Sequence, residues 1–349
     1  MESRRRDGVW LLAGSSAASN TGNWAATVAL SLTVFAKTGS TVWLSASFLF
    51  TQVPSALVAP LSGMMADRLN RKIIMITCDL LGAGVYAGMA VTGRPLPLIL
   101  YAATGAGPAF AVNAASFVTS AALAALVRGP FRSDSAAAGA ASAGSVWAGA
   151  RFLWHNSMLL TLTVIGAVTF MATEIAAVAD LPLIHDFGVG GVGYGILNVA
   201  WGAGGLIGAL IAARVVTKNS ETAAAVIGVL VFGIFVAAVG AAPWFAAIPV
   251  FSLLFAGSDS FAFVGFSGIY QRSTPDAIRG RTFAAVGAIT TFATAVSFGF
   301  AGFLVEAAGW RPVYLGGGLI DVACAAVLAL TLRRRSSLPA IHPPPPGPV

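Results

Sequence analysis

The sequence predicts an all-α membrane protein that crosses the bilayer several times. Of its 349 residues, 57% are apolar and only 9% are charged, whereas soluble chains carry about 25% charged residues. The mean hydropathy is +0.83, and charged residues separate apolar stretches of roughly 20 residues, the length of a spanning helix. This composition excludes a soluble enzyme, a disordered regulator and a nucleic-acid binder as the main interpretation.

Ten such stretches are expected to span the membrane. The first is too long for a cleaved signal peptide and ends without a small-residue cleavage site, so we expect it to remain as a span. The ten spans are placed near Val9–Ala36, Val42–Met65, Ile73–Val91, Gly105–Leu126, Met158–Ile184, Gly193–Ala213, Ala223–Ala241, Ile248–Ile269, Thr282–Val305 and Val313–Leu332.

The positions of the Lys and Arg residues predict the orientation. Positive residues in short loops are retained on the cytoplasmic side. With the N-terminus inside, all but Lys37, Arg94 and Arg311 of the 20 Lys and Arg residues fall on that side. An added or missing span would destroy this alternation, so we expect ten spans with both termini cytoplasmic. The Ala- and Gly-rich composition favours a bacterial cytoplasmic membrane.

The chain divides into four predicted segments. Residues 1–126 are expected to form an N-terminal bundle of about four spans, and residues 158–335 a C-terminal bundle of six. Residues 127–157 read as a cytoplasmic linker, because a Ser/Ala/Gly-rich stretch precedes Trp and Phe residues around Arg151, a mixture typical of an interfacial helix. The Pro-rich residues 336–349 are expected to be disordered.

A loop motif resembles that of a known transporter family. Residues 63–72 read GMMADRLNRK and resemble the signature Gly-x-x-x-Asp-Arg-x-Gly-Arg-Lys/Arg of major facilitator superfamily (MFS) transporters. Asn70 stands where the family has Gly, and Asn tolerates a left-handed turn better than most residues. Further segments, which extend the resemblance over nearly the whole chain, are similar to the branch of macrolide and siderophore exporters: residues 22–24, 109–117, 149–153 and 271–281.

The resemblance implies a fold and an activity. The fold would be the two-bundle MFS fold, shortened to 4+6 spans, and the activity secondary transport by alternating access. We expect proton-coupled efflux of an amphiphilic small molecule of drug, macrolide or siderophore type, without a cofactor. The expected partners are the lipid bilayer, the substrate and the proton; nothing in the sequence indicates an oligomer or nucleic acid.

The motif loop is expected to act as a conformational latch. Asp67 and Arg68 end one span, and Arg71 and Lys72 begin the next, so their charges can pair across the gap and with helix ends. In the family this loop helps to hold the outward-open state. The alternative is that the basic residues only determine topology, for which Asp67 is not needed. The predicted latch comprises Gly63, Asp67, Arg68, Arg71, Lys72 and Asp79.

Relative to the family, two spans are missing. Members have two bundles of six spans, but here residues 96–105 resemble the start of the fourth span and run directly into what resembles the sixth. The fourth span lines the transport path in the family. Three interpretations stay open: a shortened working exporter, an oligomer that restores the missing wall, or an internally deleted, transport-inactive remnant or scaffold.

Carboxylates inside spans are the first candidates for transport, because a charge at a helix centre costs about 2.5 to 3.5 kcal/mol. Asp259 ranks first, since small residues surround it and its span corresponds to a path-lining one in the family. The alternative is a protonated carboxyl that forms a hydrogen bond with a neighbouring helix. Glu174 is expected to titrate in the cavity. Asp180, about 120° around the same helix, is expected at the outer mouth. Asp321 fits either a functional or a buried structural group.

Uncharged polar residues complete the predicted pathway. Asn23 stands in the first span where many relatives carry Asp, and an amide cannot exchange a proton at physiological pH. If that carboxylate couples proton entry in the relatives, this chain uses another group such as Glu174 or Asp259, or coupling is lost. Asn23, Trp24, Asn113 and Asn198 are expected to contact an amphiphilic substrate. The alternative is that the three Asn side chains only form hydrogen bonds between helices.

An enzyme or a metal site is not expected. Cys78 and Cys324 lie in apolar runs, and the three His residues are isolated in the sequence, so no metal-binding or catalytic constellation is recognisable. Gly204 and Gly208 have the small-xxx-small spacing of a helix contact rather than that of a ligand loop.

Overall fold

The computed structural model describes residues 2–52, 71–92, 107–126 and 143–336, and these residues form helices joined by short turns, with no strand among them. Eleven helices are numbered in chain order. They are α1 Glu2–Thr38, α2 41–52, α3 Arg71–Thr92, α4 Gly107–Leu126, α5 Ala143–His155, α6 Ser157–Asp186, α7 Gly190–Val215, α8 Glu221–Ala241, α9 Ala247–Ser273, α10 Arg279–Ala308 and α11 Trp310–Ser336.

Six of the described helices, α6 to α11, are long and apolar enough to cross a membrane. Helices α3 and α4 carry shorter apolar stretches, at Met75–Gly88 and Ala111–Leu123. The prediction of an all-helical, multi-pass membrane protein is therefore confirmed. The second predicted span, Val42–Met65, extends past residue 52 and lies partly outside the described residues.

Local chemistry explains where several helices begin and end. The Asn156 side chain caps α6 by accepting a hydrogen bond from the Leu159 backbone N–H at 3.3 Å, which satisfies one of the free donors of the first turn. Gly39 (φ 61°) follows α1 and Gly309 (φ 80°) follows α10, in a backbone conformation that glycine adopts without steric cost. These two glycines let one long helix reverse directly into the next.

In the C-terminal half, glycines let the helices pack closely. Helix α9 packs on α7 and α8, α10 packs on α6, and α11 packs on α8 and α6. A methyl group on Gly204 or Gly208 of α7 would collide with the backbone of Leu253 or Gly257 of α9. The small-xxx-small contact predicted for Gly204 and Gly208 is thus confirmed. Such close approach supplies the van der Waals contact that joins helices in lipid.

The N-terminal helices are joined by polar contacts. Helix α4 packs on both α1 and α3. The Ser15 and Ser120 hydroxyls lie 2.7 Å apart, and Ser120 donates to Asp79 at 2.7 Å, so one chain of hydrogen bonds crosses all three helices. Asp79, a member of the predicted latch, therefore contacts α4.

The two halves meet through α2 and α10. The Thr41 hydroxyl donates to the Gly302 carbonyl at 2.7 Å, and Ser45 donates to the Phe298 carbonyl. Gly302 allows this contact, because a side chain there would strike the α2 backbone at Val42. The same helix carries Leu44 into the main hydrophobic core, which otherwise consists of C-terminal residues.

Candidate transport cavity

A cavity of about 500 Å³ lies where the two halves meet. Its walls come from α1 and α2 on one side and from α6, α7, α8, α9, α10 and α11 on the other. Most of the lining surface is apolar or aromatic, and polar side chains interrupt it, as is usual in a small-molecule site. Its polar and charged lining residues are Asn20, Asn23, Thr27, Thr51, Gln52, Thr169, Thr173, Glu174, Asp180, Tyr194, Asn198, Ser252, Asp259 and Tyr314.

Three carboxylates line this cavity. Glu174 and Asp180 come from α6 and Asp259 from α9. Asp259 is exposed and Glu174 half-buried, and no residue that the structure describes donates a hydrogen bond to either. Asp180 differs, because it accepts a hydrogen bond from the Tyr314 hydroxyl of α11. Two of the three carboxylates are therefore free to bind a proton or a cation from the cavity.

The cavity is acidic. Its lining contains these three carboxylates, and among the described residues that form it there is no Lys or Arg side chain. A low-dielectric wall strengthens the field of such charges relative to water. A positively charged group would therefore be attracted to the cavity and an anion repelled.

Two tryptophans face each other across the boundary between the halves. Trp24 of α1 and Trp201 of α7 have ring centroids 5.4 Å apart, and both line the cavity. Trp24 is 53% exposed and Trp201 38%, so part of each residue is accessible. Their rings could stack on a planar or bulky apolar group, or on a cation.

The asparagines predicted for the pathway are placed differently. Asn23 and Asn198 line the cavity, and the Asn198 amide also donates to the Tyr194 carbonyl of its own helix at 2.9 Å. Asn113 does not line the cavity. Its side chain is fully buried, and its Nδ2 atom donates a hydrogen bond to the side-chain Oδ1 atom of Asn23 at 3.5 Å. Asn113 therefore contacts the pathway only through Asn23.

The predicted latch lies largely outside the described residues. Gly63, Asp67 and Arg68 lie outside the described residues, as do the side chains of Arg71 and Lys72, although α3 begins at Arg71.

A charge cluster is described in the C-terminal half. Arg272 of α9 pairs with Glu221 of α8 and donates to the Lys218 carbonyl at 3.1 Å. This cluster joins the adjoining ends of α8 and α9.

Sequence reasoning missed two contributors to the cavity. Tyr314 and Trp201 belong to apolar stretches in which an aromatic residue is unremarkable. Tyr314 meets Asp180 134 positions away, and no local pattern indicates a contact over that separation. A tyrosine inside a span indicates that its hydroxyl has a hydrogen-bond partner, but the sequence does not identify that partner.

The sequence model of the Major Facilitator Superfamily matches residues 162–347, which is more than half of the chain. The chain belongs to the Major Facilitator Superfamily. Members of this superfamily are transporters rather than enzymes, and the six apolar helices fit a multi-pass membrane transporter. The matched range covers nearly all of the C-terminal half, from early in α6 onwards, and leaves the loop motif at 63–72 outside it. No curated protein matches the chain significantly.

Proposed function

We propose that this MFS protein is a secondary active exporter that moves amphiphilic small molecules out of a bacterial cell in exchange for protons. The observation that carries the proposal is the acidic, aromatic-lined cavity between the two halves. A site at the interface of two helix bundles can be opened alternately to each side as the bundles rock.

The cavity favours a cationic amphiphile. Trp24 and Trp201 offer ring faces to the apolar part of the substrate, while Glu174 and Asp259 attract its positive group. Among the substrates of the macrolide and siderophore branch, an amine-bearing macrolide or lipophilic cation fits this charge better than an anionic siderophore.

Proton coupling is assigned to Asp259 and Glu174. An ionised carboxylate binds the cationic substrate, and protonation removes that charge and releases it, so proton and substrate compete for one group. Asp259 is the first choice, because it is exposed in the cavity and no described residue donates a hydrogen bond to it. Asn23, Trp24, Asn198 and, behind them, Asn113 would orient the substrate. The latch residues would stabilise one of the two bundle positions.

The N-terminal half is proposed to lack two spans. Helix α4 packs on α1 and α3 in the way that α11 packs on α6 and α8. Between α8 and α11 the chain forms α9 and α10, whereas between α3 and α4 it has only residues 93–106, fewer than the roughly 20 that one span needs. This correspondence supports ten spans with both termini in the cytoplasm, arranged as bundles over 1–126 and 158–335.

The alternative function is a transport-inactive membrane remnant or scaffold. The same short connection favours it, because the missing helices would leave one wall of the path open to lipid. Under this alternative, the chain inserts and folds but does not turn over substrate.

Transport by inside-out vesicles tests the two functions. Vesicles that contain the protein would be given a pH gradient and a panel of macrolides, lipophilic cations and siderophores, with a protonophore as control. We expect gradient-dependent uptake of cations, abolished in D259N and retained in E306Q, which alters an exposed carboxylate at the end of α10. No uptake of any substrate by well-inserted protein would favour the remnant, and unchanged uptake in D259N would exclude Asp259 as the coupling group.

A further inference from the structure

A fourth carboxylate lies behind the cavity wall. Asp321, in the middle of α11, is fully buried, and neither carboxyl oxygen has a hydrogen-bond partner within the part of the chain that the structure describes. Helix α8 approaches it so closely that a methyl group on Gly233 would lie 2.8 Å from the Asp321 Cβ. Asp321 therefore sits where three helices, α6, α8 and α11, are packed.

Among the described residues, the groups that face Asp321 provide no positive charge. From α6 the Thr169 hydroxyl faces it, outside hydrogen-bond geometry, and from α9 the Asp259 carboxylate is close enough to repel it. On its own helix, Cys324 is one turn away. On α8 the described charge is Glu221, twelve residues from Gly233 or about 18 Å along the helix. Arg311 begins the same helix as Asp321, about 15 Å away by the same rise per residue.

An unpaired carboxylate cannot stay ionised in such surroundings. A buried charge without a partner costs far more than the neutral acid, so the group binds a proton instead. A protonated carboxyl is both a donor and an acceptor. A small rotation would let it form a hydrogen bond with the Thr169 hydroxyl, whose oxygen is also buried and has no hydrogen-bond partner among the described residues.

Thr169 connects Asp321 to the cavity. Thr169 is one of the lining residues of the cavity that also holds Glu174 and Asp259. A second cleft, of about 440 Å³, is lined by α6, α10 and α11, and its described lining is entirely apolar, including Val168 and Ile320. A proton therefore has a polar route to Asp321 on the cavity side and none through this cleft.

We propose that Asp321 and Thr169 form an occluded proton-binding site behind the cavity wall, in series with Asp259. A proton from Asp259 or from cavity water binds to the Thr169 oxygen while the Thr169 hydroxyl hydrogen passes to an Asp321 oxygen. The Asp321 carboxylate becomes a neutral acid, and Thr169 is again a hydroxyl because it gains one proton and gives up another. The donor loses its proton, so that a protonated Asp259 becomes a carboxylate or a hydronium ion becomes water. The participation of this site in coupled transport rests on the proposed function, whereas its occupancy by a proton does not.

Infrared spectroscopy of the reconstituted full-length protein tests the occupancy directly. A protonated carboxyl has a carbonyl stretching band that a carboxylate lacks. We expect this band at neutral pH in the wild type and in the control E306Q, its loss in D321N, and its shift when H₂O is replaced by D₂O. In T169V we expect the band to persist but to shift more slowly, because the relay is removed.

Three outcomes would overturn the proposal. If the band is absent at neutral pH or is unchanged in D321N, Asp321 does not hold the proton. If the band never shifts in D₂O, the proton is locked in place and the group is structural. If T169V exchanges as fast as the wild type, Thr169 is not the route. Because the spectra need no substrate, the site can be confirmed even if the vesicles show no transport.

Discussion

Tyr314 and Asp180 form the contact by which α11 closes the cavity against α6. The Tyr314 hydroxyl donates to Asp180, and both residues line the cavity. Of the three carboxylates that line the cavity, Asp180 alone has a hydrogen-bond donor among the described residues, and that donor is Tyr314. This leaves Glu174 and Asp259 as the groups available to ligands.

Replacing Tyr314 by Phe is expected to weaken both the fold and substrate binding. A hydrogen bond to a charged acceptor contributes about 1.5 to 3 kcal/mol, so Y314F should lower the midpoint of thermal unfolding. The freed Asp180 carboxylate should also change the affinity for a cationic substrate, measured by fluorescence quenching.

The control is Y270F. Tyr270 shares a hydrogen bond with the Thr163 hydroxyl at 2.6 Å, but it belongs to a separate core cluster and does not line the cavity. Y270F should lower stability and leave substrate affinity unchanged. Equal effects of the two variants on affinity would contradict the role given to Tyr314.

Candidate site residues could be predicted from the sequence where a polar side chain interrupts an apolar stretch, because such a residue is costly in lipid. Glu174, Asp259 and Asn198 stand out as polar groups inside apolar stretches, and the structure places all three on one cavity. What could not be predicted are pairings between helices, such as Trp24 with Trp201 or Asn113 with Asn23, because these depend on how the helices pack. Their roles in transport remain predictions.

At the scale of the elements, the contact between α7 and α9 depends on the face of α7 that carries Gly204 and Gly208. A Cβ on Gly204 would overlap the Leu253 backbone, whereas on the next residue, Gly205, the nearest atom is the Ser260 hydroxyl at 4.0 Å. We therefore expect G204A to lower stability by about 1 to 3 kcal/mol, the usual cost of overpacking, and G205A to be neutral. Thermal unfolding followed by gel filtration measures the difference, and equal midpoints would show that α7 and α9 are not packed this closely.

The charge pair between α8 and α9 supports a second prediction at this scale. Glu221 is 9% exposed, so R272Q leaves a buried carboxylate without its partner, whereas R279Q removes an exposed pair with Asp276. Loss of one partner of a buried pair costs about 3 to 5 kcal/mol, and the partial exposure of Arg272 reduces this toward the lower end. An exposed pair contributes about 0 to 1 kcal/mol.

Thermal unfolding of R272Q, R279Q and the double variant R272Q/E221Q measures these costs. The double variant should recover much of the stability that R272Q loses, because the buried charge is removed with its partner. If R272Q and R279Q unfold at the same temperature, the pair with Glu221 is not buried in the membrane-embedded protein.

The helices themselves were largely predictable, because lipid requires continuous apolar helices. The predicted span Gly193–Ala213 corresponds to α7 at Gly190–Val215, and Thr282–Val305 to α10 at Arg279–Ala308. The helices extend further at both ends, since hydropathy marks only the part in hydrocarbon. Caps such as Asn156 and hinge glycines such as Gly309 determine the actual ends.

At the scale of the whole molecule, the described helices of the two halves share a packing pattern. Helices α1, α3 and α4 correspond to α6, α8 and α11 in their contacts, and α9 and α10 have no described counterpart in the N-terminal half. The proposed loss of two crossings would keep every later segment on its original side. The orientation predicted from Lys and Arg therefore depends on an even number of crossings being lost.

Cysteine labelling tests this arrangement of the whole chain. In a C78S/C324S background, N219C would lie between α7 and α8, and A307C at the end of α10, and both positions are exposed. With both termini cytoplasmic, an impermeant maleimide should label A307C in intact cells and N219C only after permeabilisation. Epitopes fused to the two termini should likewise be accessible only in permeabilised cells. Termini on opposite sides would mean an odd number of spans, so that a single crossing and not a pair is missing. Reversed labelling of the two cysteines would mean that the C-terminal half has the opposite orientation. The direction proposed for transport would then be reversed as well.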